Sequence, residues 1–202
     1  MSMCMALCTL SDGNIRRVLA DPPLVWKVLA PEDPEPYENA RKEAAGGGFL
    51  SRLFGRKSAP ASQVAELELA DGEGADTDLD KSWHGIHYML TQTAWEGTEP
   101  LSFLLTGGSP VGNIDVGYGP ARALTAEQVR AFHAALQPID QAFLKGRFNP
   151  AQMMKLQIYP EIWDRDPAED DSFGYCAEYF DSLKSFVADA AKRNMGLVVY
   201  IS

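Results

Sequence analysis

The chain has 202 residues, of which 46% are hydrophobic and 23% charged, with a net charge of -10. This length and composition are those of a folded protein of one or two domains and exclude a disordered chain. Excess negative charge repels phosphate backbones, so we expect no nucleic-acid binding. No stretch approaches the roughly 18 uninterrupted apolar residues of a membrane span. The opening residues have no basic start or small-residue cleavage site, so we expect no signal peptide.

The three cysteines, Cys4, Cys8 and Cys176, are an odd number in a chain without an export signal. This predicts reduced thiols and a cytoplasmic location. No C-x-x-C pair occurs, and the cysteines lie in apolar surroundings, so they are expected to fill the core. The sequence also has no phosphate-loop or dinucleotide-binding motif, and we predict neither a cofactor nor a metal.

The chain begins with a strand pattern and two helix patterns. Residues 2–10 are apolar at odd and even positions, which predicts a strand buried on both faces. Ser11 is placed to cap a short helix that ends near Ala20. Asp21 and Pro22 then predict the start of a second helix.

Residues 31–76 have the composition of a linker, with clusters of proline, glycine and serine. Inside them, Gly48–Lys57 is basic, with apolar residues at helical spacing. We expect this region to be an insertion within a single domain that spans residues 1–202.

A helix is predicted from Leu79 to about Thr91, because apolar residues recur there at helical spacing. On the same helical wheel, Asp80, His84 and His87 line one edge of the apolar stripe.

The second half of the chain contains a glycine-rich stretch and four helix or strand patterns. Gly107–Pro120 is predicted to hold an edge strand or turn. A capping box at Thr125 predicts the next helix. The further expectations are a helix from Asp140 to about Arg147, a helix capped by Asn149, a long helix capped by Asp170 or Asp171, and a terminal strand over 197–201. Few strands among about six helices predict an α+β fold, whose small central sheet includes both terminal strands.

Three motifs resemble the YfbM-like bacterial proteins, a family known chiefly as a domain of unknown function. They are the stretches Leu79–Tyr88, Gly117–Arg122 and Ile158–Trp163. The resemblance covers residues 1–30 and 78–202 in the same order. It implies a compact α+β bacterial cytoplasmic protein and supplies no catalytic residue.

Negative charge is concentrated in two windows. Residues 65–80 contain seven acids and no base, and residues 161–181 contain eight acids and one base, Arg165. Two interpretations stay open, a solubilising surface and a face that docks a basic protein partner.

Aromatic, histidine and acidic residues form the candidate site. The candidate pocket residues are Asp80, Trp83, His84, His87, Tyr88, Trp95, Glu96, Tyr118, Tyr159, Trp163 and Asp164. Aromatic-lined concavities with a few polar groups are typical ligand sites, although Trp83 is more typical of a core residue.

Two functions follow, and the first is favoured. One is a non-enzymatic protein that binds or neutralises a basic partner through an acidic and aromatic surface. The alternative is a small hydrolase-like enzyme or metal-binding protein centred on His84 and His87 with a nearby carboxylate. No HExxH or GxSxG motif supports the alternative. The oligomeric state is left open.

Overall fold

The structure, a computed structural model, describes residues 2–46 and 67–202. Five antiparallel strands form one sheet in the order β2-β1-β5-β4-β3. The strands are β1 (Met5–Leu10), β2 (Asp76–Asp78), β3 (Ser109–Asp115), β4 (Pro120–Leu124) and β5 (Gly196–Ile201). The helices of the described residues are α1 (Asp12–Ala20), α2 (Trp26–Leu29), α3 (Glu35–Gly46), α4 (Trp83–Thr91), α5 (Ala126–Leu136), α6 (Gln141–Arg147), α7 (Pro150–Lys155) and α8 (Ser172–Lys192). The predicted α+β class is confirmed.

The two terminal strands are neighbours at the middle of the sheet, as their apolar character predicts. β1 pairs with β5 from Met5 opposite Ile201 to Leu10 opposite Gly196. Alternate residues of these strands enter different hydrophobic clusters. Leu7 and Val199 belong to a cluster with α4, α5 and α8, whereas Cys8 and Val198 belong to one with α1 and the turn after it. The sheet therefore separates two cores.

Side-chain caps begin most of the helices where the sequence predicts them. Ser11 accepts a hydrogen bond from the backbone of α1, and Thr125 and Gln128 form a complete capping box at α5. The remaining caps of this kind are Asp140 on α6, Asn149 on α7 and Asp171 on α8. These side chains satisfy backbone N–H groups that a helix start leaves without partners.

The start of α4 differs from the prediction. The helix begins at Trp83 rather than Leu79, and Asp80 adopts a left-handed conformation with φ of 41°. The N–H of Asp80 donates to the carboxylate of Asp78, and Ser82 donates to the carbonyl of Leu79 at 3.0 Å. A tight turn after β2 thus replaces the first predicted helical turn, and Asp80 leaves the histidine face.

Part of the predicted insertion is a regular helix. α3 covers Glu35–Gly46 and buries Tyr37 and Ala40, and Arg41 on the same helix pairs with Asp21 at 2.5 Å. The basic segment Gly48–Lys57 lies outside the described residues. The segment after Asp21, predicted as one helix, is a 3-10 turn over Pro22–Val25 followed by the short α2.

Among the described residues, no helix has the length and apolar character needed to cross a bilayer.

Candidate functional site

Helix α4 carries the predicted histidines and is buried along nearly its whole length. Gly85 lets this helix approach its neighbours closely. A Cβ atom at Gly85 would lie 2.5 Å from the Trp163 ring and 2.9 Å from the Cys176 sulfur. Glycine at this position therefore sets the distance between α4 and the segment that holds Trp163.

His84 is completely buried, and both of its ring nitrogens contact backbone groups. Nδ1 accepts a hydrogen bond from the N–H of Tyr159 at 2.9 Å, so Nε2 carries the proton and donates to the carbonyl of Ala94 at 2.7 Å. Burial lowers the pKa of His84 to about 4. The imidazole is therefore neutral, and neither nitrogen has a lone pair free for a metal.

His87 is equally buried and has one backbone partner. Its Nε2 lies 2.9 Å from the carbonyl of Glu96, while Nδ1 has no partner among the described residues. Burial lowers its pKa to about 4. Glu96 contributes its carbonyl to this contact, and its side chain is exposed.

Two aromatic rings pack against His84, and a third stacks on one of them. Trp83 lies parallel to the imidazole at 4.7 Å, and Trp95 covers it at 4.3 Å with a tilt of 44°. Tyr159 stacks on Trp83 at 5.9 Å, and the hydroxyl of Tyr159 accepts from the N–H of Met3. Trp83 and Tyr88 are core residues, but Trp95 is 55% exposed. His84 thus lies beneath a partly exposed tryptophan.

Asp80 lies away from the histidine nitrogens. Its carboxylate accepts from the Tyr175 hydroxyl at 2.7 Å and from the Cys4 thiol at 3.2 Å. Partial burial acts to raise the pKa of Asp80, but these hydrogen bonds hold it below its usual range. Among the described residues, no three His, Cys, Asp or Glu side chains form a group able to hold a metal.

Trp163 and Asp164 lie in a first pocket, of about 230 Å³, beside the start of α8. We call it the acidic-aromatic pocket; its main lining residues are Phe148, Trp163, Asp164, Asp170, Asp171 and Phe173. Two cations, Lys145 and Arg165, also line it, so its carboxylates exceed its cations by one. The rings of Phe148 and Phe173 meet edge to face at 5.4 Å. Lys145 places its ammonium 4.2 Å above the Phe173 ring.

Trp95 and Tyr118 lie in a second pocket, of about 210 Å³, at the β4 and β5 side of the sheet. We call it the arginine pocket; its main lining residues are Trp95, Leu105, Tyr118, Pro120, Arg122 and Tyr200. Arg122, on β4, donates to the carbonyls of Phe103, Leu104 and Gly107.

The predicted site residues therefore divide among several places. The acidic-aromatic pocket contains Trp163 and Asp164, and the arginine pocket contains Trp95 and Tyr118. The remaining predicted residues lie on helix α4, in contact with it, or in the turn before it. The sequence predicts no site role for Arg122. Its local feature is that a long basic side chain stands between two alanines in a strand.

Comparison with known proteins identifies the family. A family described as a domain of unknown function (DUF1877) matches residues 1–200. The chain belongs to the DUF1877 family. This agrees with the resemblance that the sequence motifs carry. Comparison with curated protein sequences finds no match.

This DUF1877 protein is similar to a solved structure. It is the crystal structure of YfbM from Escherichia coli, a protein of unknown function, with a TM-score of 0.61 and 15% sequence identity. The match covers 98% of this chain and 99% of that chain. At this identity the likeness shows a shared fold.

Proposed function

We propose that this DUF1877 protein is a non-enzymatic binding protein that takes a basic protein partner at the acidic-aromatic pocket. The observation that carries the proposal is the pairing of aromatic rings with carboxylates in one concavity. Residues 161–171, which form much of its rim, contain six acids and one base. Such a surface attracts a basic partner from solution and then offers apolar area to its side chains.

A lysine or arginine side chain suits both parts of this pocket. Its methylene groups pack against Phe148, Trp163 and Phe173, and its charged end reaches Asp164 or Asp170. Lys145 above the Phe173 ring provides an example within the chain, since it is a cation held against the same wall. The Arg165–Asp170 pair, 2.7 Å long, leaves Asp164 with no side-chain partner among the described residues.

The enzyme alternative has no supporting geometry in the described residues. His84 uses both nitrogens on backbone groups, and His87 meets a carbonyl rather than a carboxylate. A general base must reach the proton that it removes, and both imidazoles are completely buried.

The proposal also places the protein in the cytoplasm. Cys4, Cys8 and Cys176 are free thiols, two of them buried. Burial raises the pKa of Cys8 to about 12, which keeps this thiol protonated and unreactive.

The test is a titration of the protein with a fluorescent lysine- and leucine-rich peptide, followed by anisotropy. The variant Asp164→Asn/Asp170→Asn removes two carboxylates of the pocket but keeps Asp171, which caps α8. We expect its affinity to fall about twofold to thirtyfold, because each of the two surface ion pairs contributes roughly 0.2–1 kcal/mol.

The matched control is Glu127→Gln/Glu178→Gln, which removes the same charge from exposed positions that do not line the pocket. It should bind the peptide nearly as well as the wild type. An equal loss in both double variants would mean that net charge rather than the pocket attracts the peptide. That result, or no binding by the wild type, overturns the proposal.

A further inference from the structure

Arg122 keeps a positive charge that no described carboxylate balances. Its guanidinium donates to three backbone carbonyls, and it takes part in no ion pair within residues 2–46 and 67–202. Burial lowers its pKa to about 10, so it is still protonated at neutral pH. Carbonyls satisfy hydrogen bonds but carry no net charge, which leaves the cation without a counter-ion.

The guanidinium also has hydrogen-bond capacity left. Of its five N–H donors, three are used on the carbonyls of Phe103, Leu104 and Gly107. The two that remain include Nε–H, which has no acceptor among the described residues. A carboxylate is the group that such a pair of donors binds best.

The walls of the arginine pocket are apolar and partly exposed. Trp95 and Tyr118 are 55% and 45% exposed, although large aromatic side chains are usually buried. Leu105, Pro120 and Tyr200 add apolar surface, and no acidic side chain of residues 2–46 or 67–202 lines the pocket. Its volume of about 210 Å³ is below the roughly 300–1,000 Å³ of pockets for drug-sized ligands. The ligand must therefore be smaller than a typical drug molecule.

Both aromatic walls are held in place by contacts outside the pocket. His84 lies against Trp95 at 4.3 Å, on the buried helix α4. The N–H of Tyr118 donates to the carbonyl of Ile201 at 3.0 Å, and Asp115 accepts from the N–H groups of Gly117 and Gly119. A preformed pocket loses little conformational entropy when a ligand enters it.

We propose that the arginine pocket binds a small amphiphilic anion, with a flat apolar body between Trp95 and Tyr118 and a carboxylate on Arg122. This site is separate from the acidic-aromatic pocket and does not depend on the proposed function. The competing role for Arg122 is purely structural, in which its carbonyl contacts join residues 103–107 to β4. The two roles differ in whether a ligand with the right charge binds.

The experiment is a ligand-observed NMR titration of the full chain with three probes of one shape: naphthoate, naphthamide and naphthylmethylammonium. We expect naphthoate to bind about tenfold more tightly than naphthamide, since hydrogen bonds between two charged groups are stronger than those to a neutral amide. The ammonium probe should not bind, because Arg122 repels it. The Trp95→Ala variant should also bind naphthoate about tenfold more weakly, because it loses the ring on which the ligand stacks.

The matched control is Phe143→Ala, which removes another exposed aromatic side chain, 39% exposed, that does not line the pocket. It should bind naphthoate as the wild type does. Because Trp95 is exposed, the Trp95→Ala variant is expected to fold. The test therefore needs no substitution of Arg122, whose carbonyl contacts support the fold. Equal binding of the three probes, no binding of naphthoate, or equal loss in Phe143→Ala would overturn the proposal.

Discussion

The acidic-aromatic pocket and the arginine pocket are similar in size and in their aromatic walls, and they differ in charge. Each has one tryptophan packed on α4: Trp163 against Gly85, and Trp95 against His84. Carboxylates outnumber cations in the lining of the first pocket, whereas the second is lined by the half-buried guanidinium of Arg122 and, among the described residues, by no carboxylate. Aromatic walls supply contact area to any ligand, so charge decides which ligand each pocket selects.

The cations of the two pockets also differ. Lys145 is exposed and lies above an aromatic ring, where water still solvates its ammonium. Arg122 is half-buried against carbonyls and keeps its proton at neutral pH. A cation that is partly withdrawn from water has a stronger need for an anionic ligand than an exposed one.

The largest expected effect is the loss of stability at low pH caused by the two buried histidines, of which His84 packs against Trp95. His84 and His87 have their pKa values lowered to about 4 in the folded protein, against 6.5 when unfolded. Between pH 6.5 and 4 the unfolded chain therefore binds more protons, and stability falls as the pH falls. At roughly 1.4 kcal/mol per pKa unit, the loss approaches about 3 kcal/mol per histidine.

The check is a series of urea denaturations from pH 7.5 to 4.5, with His84→Gln as the comparison. The variant should lose less stability across this range, because only one of the two buried imidazoles, His87, is then left to take up a proton on unfolding. A wild-type free energy of unfolding that stays flat between pH 6.5 and 4.5 contradicts the assignment of both imidazoles as buried and neutral.

The second effect compares the two cations. Arg122→Met leaves three carbonyls without their donor and should lower the free energy of unfolding by about 3 kcal/mol. Lys145→Met removes only an exposed cation–π contact and should cost about 0.5–1 kcal/mol. Chemical denaturation of both variants measures the difference. Equal losses would show that burial does not distinguish the two pockets.

The third effect concerns the support behind Trp163. In Gly85→Ala the new methyl group overlaps the Trp163 ring and the Cys176 sulfur, which should destabilise the fold by about 1–3 kcal/mol and weaken peptide binding. Gly146→Ala on α6 is the control, since beyond its own stretch of helix no described atom lies within 4 Å of the added Cβ. Unchanged stability in Gly85→Ala, measured by thermal denaturation, would mean that α4 does not hold Trp163 as described.

The smallest effect is the response to salt. The carboxylates of the acidic-aromatic pocket are partly exposed, so raising the salt concentration should weaken peptide binding severalfold. Naphthoate would pair with the half-buried guanidinium of Arg122, so its binding should weaken by only about twofold, because partly buried pairs are less screened. Titrations at low and high sodium chloride measure both responses. A stronger salt dependence for naphthoate would reverse the comparison.

Local signals in the sequence were enough to predict much of the fold. Ser11, Thr125 and Asn149 mark helix starts because a cap acts on backbone groups within three residues. The terminal strands were predictable as neighbours because both are apolar on two faces. The prediction that Asp80 lies on the helix with the histidines was wrong, because the apolar periodicity begins at Leu79, in a turn that precedes the helix.

The sites depend on contacts that leave little trace in the sequence. His84 and His87 meet backbone carbonyls of Ala94 and Glu96, and any residue supplies a carbonyl. The arginine pocket joins side chains from five separate segments of the chain, near residues 5, 95, 105, 120 and 200. Only the folded sheet brings these segments together, so spacing along the chain could not predict the pocket.

The central claim is that two pockets of one fold select ligands of opposite charge. The most direct test is an NMR titration of the ¹⁵N-labelled protein that follows the indole N–H signals of Trp95 and Trp163. The lysine- and leucine-rich peptide should shift the Trp163 signal and leave Trp95 in place, whereas naphthoate should shift Trp95 and leave Trp163 in place. If both ligands shift the same tryptophan, or neither ligand shifts its own, the claim is contradicted.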